Sequence, residues 1–145
     1  HDTAMLFAQA RLSPVLLGQI AAAAAHENDA EYIAKVRAEY KHRRDTLVEL
    51  MNQIPGVICP KPKGAFYCVA ELPVDDTDKF AKWLLESYSK DNETVMVAPM
   101  SGFYSNPKLG KKQIRVAYVL KEEDLVRSVE LLSDALIQYK EIEHK

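Results

Sequence analysis

An arginine set inside an apolar strand pattern is the residue of this chain best suited to binding chemistry. Arg115 lies in Gln113-Ile114-Arg115-Val116-Ala117-Tyr118-Val119-Leu120. The period of two along a strand sends Ile114, Val116 and Tyr118 to one face and Arg115, Ala117 and Val119 to the other. A cation among small apolar neighbours needs an anion. Its planar fork matches a carboxylate through two parallel hydrogen bonds, so Arg115 is a candidate clamp for a substrate carboxylate. A structural ion pair with an acid such as Glu71 satisfies it equally, and from spacing alone the ion pair is the default reading. The second stretch is Cys59-Pro60-Lys61-Pro62-Lys63-Gly64-Ala65-Phe66-Tyr67-Cys68-Val69-Ala70-Glu71-Leu72. Pro60 and Pro62 fix the approach of the chain. Gly64 permits a backbone conformation or a close approach that a side chain would block. Gly64 and Ala65 leave room above the backbone for a ligand, and the same pair would serve an ordinary tight turn.

Other reactive residues point to no complete active site. Tyr67, Tyr104 and Tyr118 can donate hydrogen bonds, but tyrosines in such patterns are mostly packing residues. His1, His26, His42 and His144 have no Ser or Cys partner in a triad-like arrangement. Ser87-Tyr88-Ser89-Lys90 matches Ser-x-x-Lys, yet it follows an amphipathic helix and enters the polar turn Asp91-Asn92-Glu93, where a lysine is solvated. Cys59 and Cys68 are too few for a disulfide scaffold and have no metal-ligand spacing with His26 or His42, so no metal site is expected and a reducing cytoplasm is the simplest setting.

The elements that must position these residues read as α+β. Ser13-Pro14 starts a helix that is apolar on nearly every side from Val15 to His26 and therefore reads as a buried or interface helix. Asn28 and Glu31 form a capping box for a second helix to about Asn52, with Ile33, Val36, Tyr40, Leu47 and Met51 at helical spacing. Its charged face, Lys35, Arg37, Glu39, Arg43, Arg44 and Glu49, reads as solvated. Ile54-Pro55-Gly56-Val57 is a turn into a short strand, Val57 to Cys59. Ala65 to Leu72 is a longer strand. Asp75-Asp76-Thr77 caps a helix carrying Phe80, Trp83, Leu84 and Tyr88. Thr94 to Ala98 is a strand stopped by Pro99, and Met100 to Pro107 is a loop with two exposed aromatics. A last helix, Glu122 to Tyr139, carries Leu125, Val129, Leu132, Leu136 and Tyr139. The sum is one domain over residues 1–145, with a small, mainly antiparallel sheet of three to four strands and helices packed on it. The chain has 145 residues, 48% hydrophobic and 28% charged, with net charge −2. That balance predicts neither a nucleic-acid surface nor a membrane span. His1 in place of an initiator methionine points to a fragment or a tag remnant.

Five motifs occur in a fixed order: Ala10-Arg11-Leu12-Ser13-Pro14, Ile54-Pro55-Gly56-Val57, Pro62-Lys63-Gly64-Ala65-Phe66-Tyr67, Val97-Ala98-Pro99-Met100-Ser101-Gly102-Phe103 and Ile114-Arg115-Val116-Ala117. Over most of the chain, they resemble the C-terminal part of class I/II, fold-type I pyridoxal-phosphate-dependent aminotransferases, the group that includes aspartate and alanine aminotransferases. The resemblance implies the small domain of such an enzyme, with part of the interdomain helix and without the large cofactor-binding domain. It matches Arg115 to the arginine that binds the substrate α-carboxylate, which reverses the default above. It places Gly64 and Ala65 beside the substrate, and Ser101, Gly102 and Phe103 at the site mouth. The complete enzyme would be a cytoplasmic homodimeric transferase of amino-acid metabolism. It would use pyridoxal 5'-phosphate, an amino acid and a 2-oxo acid, with aspartate and 2-oxoglutarate as one such pair; decarboxylase and lyase relatives share the domain. The Schiff-base lysine, which the family places before this region, has no counterpart here: Lys90 lacks the small residue and the arginine that should follow. No catalytic residue is therefore assigned, and the fragment is expected to be inactive alone and not to bind the cofactor. Two other classes fit the residues: a stand-alone amino-acid-sensing module, and a subunit interaction domain.

Overall fold

The computed structural model describes residues 2–10, 15–27, 30–106 and 109–143. The expected Ser13-Pro14 helix start, Arg11 to Pro14 of the first motif, Asn28 of the capping box, Pro107, His1 and His144 lie outside the described residues. The chain divides into two compact units, His1–Arg37 and Ala38–Lys145.

The first unit holds α1 (Asp2–Ala10), α2 (Leu16–His26) and the start of α3 (Ala30–Gln53). α1 was not among the expected elements, because its apolar residues Met5, Leu6 and Phe7 are consecutive rather than periodic. α2 forms where the apolar run predicts it, but none of its residues is buried in this chain, and Val15 at its N-cap position makes no side-chain cap.

The second unit is built on a three-stranded antiparallel sheet in the order β1-β3-β2, with β1 Tyr67–Glu71, β2 Ala98–Pro99 and β3 Gln113–Ala117. Tyr67 pairs with Ala117, Val69 with Arg115 and Glu71 with Gln113. On the other side of β3, Ala98 pairs with Arg115 and Pro99 with Ile114. Cys68, Ala70 and Ile114 face the core and are buried.

All four expected strands are shorter than their β-prone residues suggest: Ala65 to Leu72 narrows to Tyr67–Glu71 and Gln113 to Leu120 to Gln113–Ala117. Of Thr94 to Ala98 only Ala98 joins the sheet, followed by Pro99 rather than stopped by it. β2 is an edge strand, where a missing N–H leaves no ladder partner unsatisfied. Thr94 is drawn elsewhere, its hydroxyl donating to the Leu84 carbonyl at 2.7 Å. Val57 to Cys59 reduces to one antiparallel bridge between Ile58 and Glu71. The Asn52 side chain pins the following residue, its Oδ1 accepting from Cys59 N and its Nδ2 donating to Cys59 O, both at 2.9 Å.

Helices cover the core face. α4 (Thr77–Glu86) starts at the expected cap, the Asp76 carboxylate accepting from Asp78 N at 2.9 Å. Thr77 is fully buried and ties α4 to the strand entry, its N–H donating to Lys111 O at 2.8 Å. α5 (Glu122–Glu143) buries Leu125, Val129, Leu132, Leu136 and Tyr139, the stripe its spacing predicts. Phe80 is the hub of an aromatic cluster, with its ring centroid 5.0 Å from Tyr139 and 6.1 Å from Trp83. Cys59 and Cys68 are free, buried and packed with their Sγ atoms 3.6 Å apart. The charged face of α3 is only partly solvated. Arg43 Nη1 donates to Val119 O at 2.7 Å and Arg44 Nη1 to Pro62 O at 3.1 Å, so both capture carbonyls distant in sequence.

Phe80→Ala removes the hub and is expected to cost about 3–5 kcal/mol in denaturant unfolding. The exposed pair His42–Glu122, 3.0 Å apart, joins α3 to α5. The hydrogen bond to Glu122 raises the His42 pKa above its ordinary 6.5. The same bond lowers the Glu122 pKa below its ordinary 4.5. The histidine's contribution is present below 6.5 and is lost as pH rises through the raised value; the glutamate's is present above 4.5 and is lost as pH falls through the lowered one. The tie is therefore complete between pH 4.5 and 6.5. His42→Ala should remove a shallow decline of the melting temperature as pH rises above 6.5, with little change at the alkaline end.

Candidate functional site

The face of the sheet turned away from the core carries Tyr67 and Val69 from β1, Ala98 from β2, and Arg115 and Ala117 from β3. Arg115 is exposed and makes no ion pair among the described residues. Glu71 shares the face, but its cross-strand partner is Gln113. The structural ion pair that spacing alone allowed is therefore not formed. Two rings flank the guanidinium instead: its Cζ lies over Tyr67, 5.4 Å from the ring centroid, and over Phe103, 5.0 Å from that centroid. An aromatic face attracts a cation without occupying its N–H donors.

Phe103 reaches this position through a compact loop. Met100 N–H donates to Gln113 O at 2.9 Å, and Ser101–Phe103 then form one 3₁₀ turn closed by Phe103 N–H to Met100 O at 3.0 Å. Ser101 Oγ donates to Asp78 Oδ2 at 2.6 Å, fastening the turn to α4. Tyr104 Oη donates to Gln113 Oε1, also at 2.6 Å. Gly110 lets the loop close: it sits at φ +74°, and a Cβ there would lie 2.6 Å from the Tyr104 ring and 2.8 Å from Met100 O.

The turn before β1 differs from expectation in which residue bears its backbone demand. A Cβ on Gly64 would meet open space, whereas Ala65 holds the left-handed conformation at φ 62°. Neighbours over-determine that strained residue. Tyr118 Oη donates to Ala65 O at 2.9 Å and Tyr118 N–H to Phe66 O at 2.9 Å, while Lys61 pairs with Asp45 at 2.8 Å. Burial raises the Tyr118 phenol pKa, so it stays a donor.

Gly64, Ala65, Tyr67, Tyr104 and Gln113 line an open cleft of about 420 Å³. Arg115 lines a second, of about 430 Å³, with Ala98 and Ala117. Tyr67 connects the two, lining the first cleft and contacting Arg115. Ser101 and Gly102 line neither; Ser101 is committed to Asp78. Sequence reasoning missed the ring partners of Arg115 and the anchoring by Tyr118. The period of two would put Tyr67 on the face of Arg115 once β1 is known to pair with β3, but no local signal brings Phe103 there.

Residues 2–132 match the family aminotransferase class I and II. The chain belongs to that family. This aminotransferase-family chain is 30% identical over 140 residues to an aspartate aminotransferase of Bacillus subtilis (strain 168), covering 92% of the chain and 31% of that protein. It superposes with a TM-score of 0.75 on an alanine aminotransferase from Pyrococcus furiosus, at 25% identity over 91% of this chain and 32% of that one. An aromatic aminotransferase from Pyrococcus horikoshii OT3 gives a TM-score of 0.71 at 29% identity, over 88% of this chain and 33% of that one. The aminotransferase-family chain thus spans about a third of the length of these relatives. The α+β small-domain architecture read from the sequence agrees with them. Among the described residues no helix is long and apolar enough to cross a membrane.

Gly110→Ala forces both a strained φ and an overlap with Tyr104, and is expected to cost about 2 kcal/mol or more. Urea unfolding should register the loss, and amide exchange should show the loop carrying Phe103 opening first.

Proposed function

We propose that this chain is the small domain, with part of the interdomain helix, of a pyridoxal-phosphate-dependent transaminase, and that Arg115 binds the α-carboxylate of its amino-acid and 2-oxo-acid substrates. The observation that carries the reading is the state of Arg115: exposed on the outer sheet face, without an ion pair among the described residues, and beside small Ala98 and Ala117. A guanidinium with its fork open suits a carboxylate in two parallel bonds. Held there, the carboxylate fixes where the α-amino group lies. Gly64 and Ala65 leave open space beside β1, and the Ser101–Phe103 turn, anchored by Asp78, would limit water at the mouth.

Pyridoxal phosphate, bound in the complete enzyme, supplies the electron sink for the chemistry. Its covalent attachment needs a lysine amine in a desolvated site. Every described lysine is exposed except Lys90, which is half-buried and ion-paired with Asp134 at 2.8 Å. The described residues do not make that cofactor site, and the attachment lysine is assigned to the part of the relatives' length that this chain does not span. The relatives' names include aspartate, alanine and aromatic aminotransferases, so the substrate side chain is left open. A second reading, a subunit interaction module, draws on α1 and α2, none of whose residues is buried here.

In the complete enzyme, Arg115→Ala should lower kcat/KM for the amino acid by about 100-fold with cofactor affinity unchanged, and Arg115→Lys should fall between. Unaltered kcat/KM would refute the assignment. The 145-residue chain alone should show no transamination. Concentration-dependent self-association without any response to carboxylates would favour the interaction module.

A further inference from the structure

We propose that Tyr67 and Phe103 are positioning residues: their rings form an aromatic clamp that holds the Arg115 guanidinium ready for a carboxylate. The inference rests on the carboxylate-binding reading of Arg115 and adds the means by which that cation is fixed. Three observations carry it. The guanidinium carbon lies 5.4 Å from one ring centroid and 5.0 Å from the other. The rings come from separate segments, Tyr67 from β1 and Phe103 from the 3₁₀ turn between β2 and β3, and neither is buried: Tyr67 is 39% and Phe103 58% exposed. No carboxylate among the described residues pairs with Arg115, although acids hold arginines elsewhere in the chain, Glu39 on Arg43 and Glu93 on Arg127.

A binding arginine faces two opposed demands. Left unrestrained on its flexible stem, it loses conformational freedom whenever it captures a ligand. Restrained by an acid, it would spend on that acid the donors the ligand needs. Ring faces resolve the conflict, because they attract the cation through the quadrupole and leave its N–H groups open. The clamp is itself braced. Phe66 packs edge-on against Tyr67 with centroids 5.8 Å apart, and Ser101 and Met100 bonds fix the turn that carries Phe103. The phenolic hydroxyl of Tyr67 plays no part in this role, so Tyr67→Phe should preserve it.

Two measurements test the clamp. In proton NMR of the 145-residue chain, the Arg115 Hδ signals should lie upfield from ring currents; Tyr67→Leu and Phe103→Leu should each reduce the shift, and Tyr67→Phe should retain it. In the complete holoenzyme, each leucine variant should raise KM for the amino acid about three- to tenfold, with kcat changed by less than about twofold. The double variant should raise it further, and Tyr67→Phe should match wild type. Cofactor absorbance should not change, since neither ring is assigned a part in holding the cofactor. Unshifted Arg115 protons in the wild-type chain, or leucine variants with wild-type KM in an enzyme that Arg115→Ala cripples, overturn the clamp alone. Arg115→Ala with wild-type KM overturns the carboxylate reading and, with it, the positioning role, even where the ring-current shifts are present.

Discussion

Hydrogen bonding on both sides of β3 makes the register of that strand the constraint from which the rest of the second unit follows. β1 holds Gln113 to Ala117 from one side, and β2 holds Ile114 and Arg115 from the other. With a side-chain period of two, a slip by one residue would carry Arg115 into the core and Ile114 into water. Both outcomes are costly: an unpaired buried cation on one side, a lost core residue on the other. The pairing that builds the core therefore also presents the arginine, and neither can shift without the other.

The segments around this sheet are fixed by polar side chains that reach backbone groups far away in sequence. Tyr118 holds the Ala65 carbonyl, Arg44 that of Pro62, Arg43 that of Val119, Asn52 both polar groups of Cys59, and Thr77 the entry to β3. Each satisfies a carbonyl or amide that a loop would otherwise leave to water. Tyr88 acts similarly at the far end, donating to Leu131 O at 3.0 Å and Asp134 Oδ2 at 2.9 Å, with burial and then that carboxylate raising its pKa to about 12. These ties explain how short strands and a strained Ala65 persist in a small sheet.

Charge is distributed unevenly between scaffold and site. Arg43, Arg44 and Arg127 are engaged by Glu39, Asp45 and the trio Asp91, Glu93 and Glu130, all at or near the surface, where such pairs add modest stability. Arg115 is held by ring faces alone among the described residues. The contrast separates arginines fastened by acids from one whose contacts are aromatic rings.

Much of this was legible in the amino-acid order, because helices and strand faces are local patterns. The α4 cap at Asp76, the α5 stripe from Leu125 to Tyr139 and the alternation that turns Arg115 outward depend on residues within a few positions of one another. The family motifs, including Gly64-Ala65 and Ser101-Gly102-Phe103, are likewise contiguous. What the order alone could not decide was set by contacts between distant segments. Thr94 to Val97 are β-prone yet remain outside the sheet although β3 continues to Ala117, with the Thr94 hydroxyl drawn to the Leu84 carbonyl instead. Ala65 rather than Gly64 takes the left-handed conformation because Tyr118 holds its carbonyl. The partners of Arg115 are two rings rather than Glu71, because the β1–β3 register sets Glu71 opposite Gln113 and the loop fastened to Asp78 and Gln113 delivers Phe103 to the arginine. Sequence periodicity fixes which side of a strand a residue faces; only the packing of remote segments decides what it meets there.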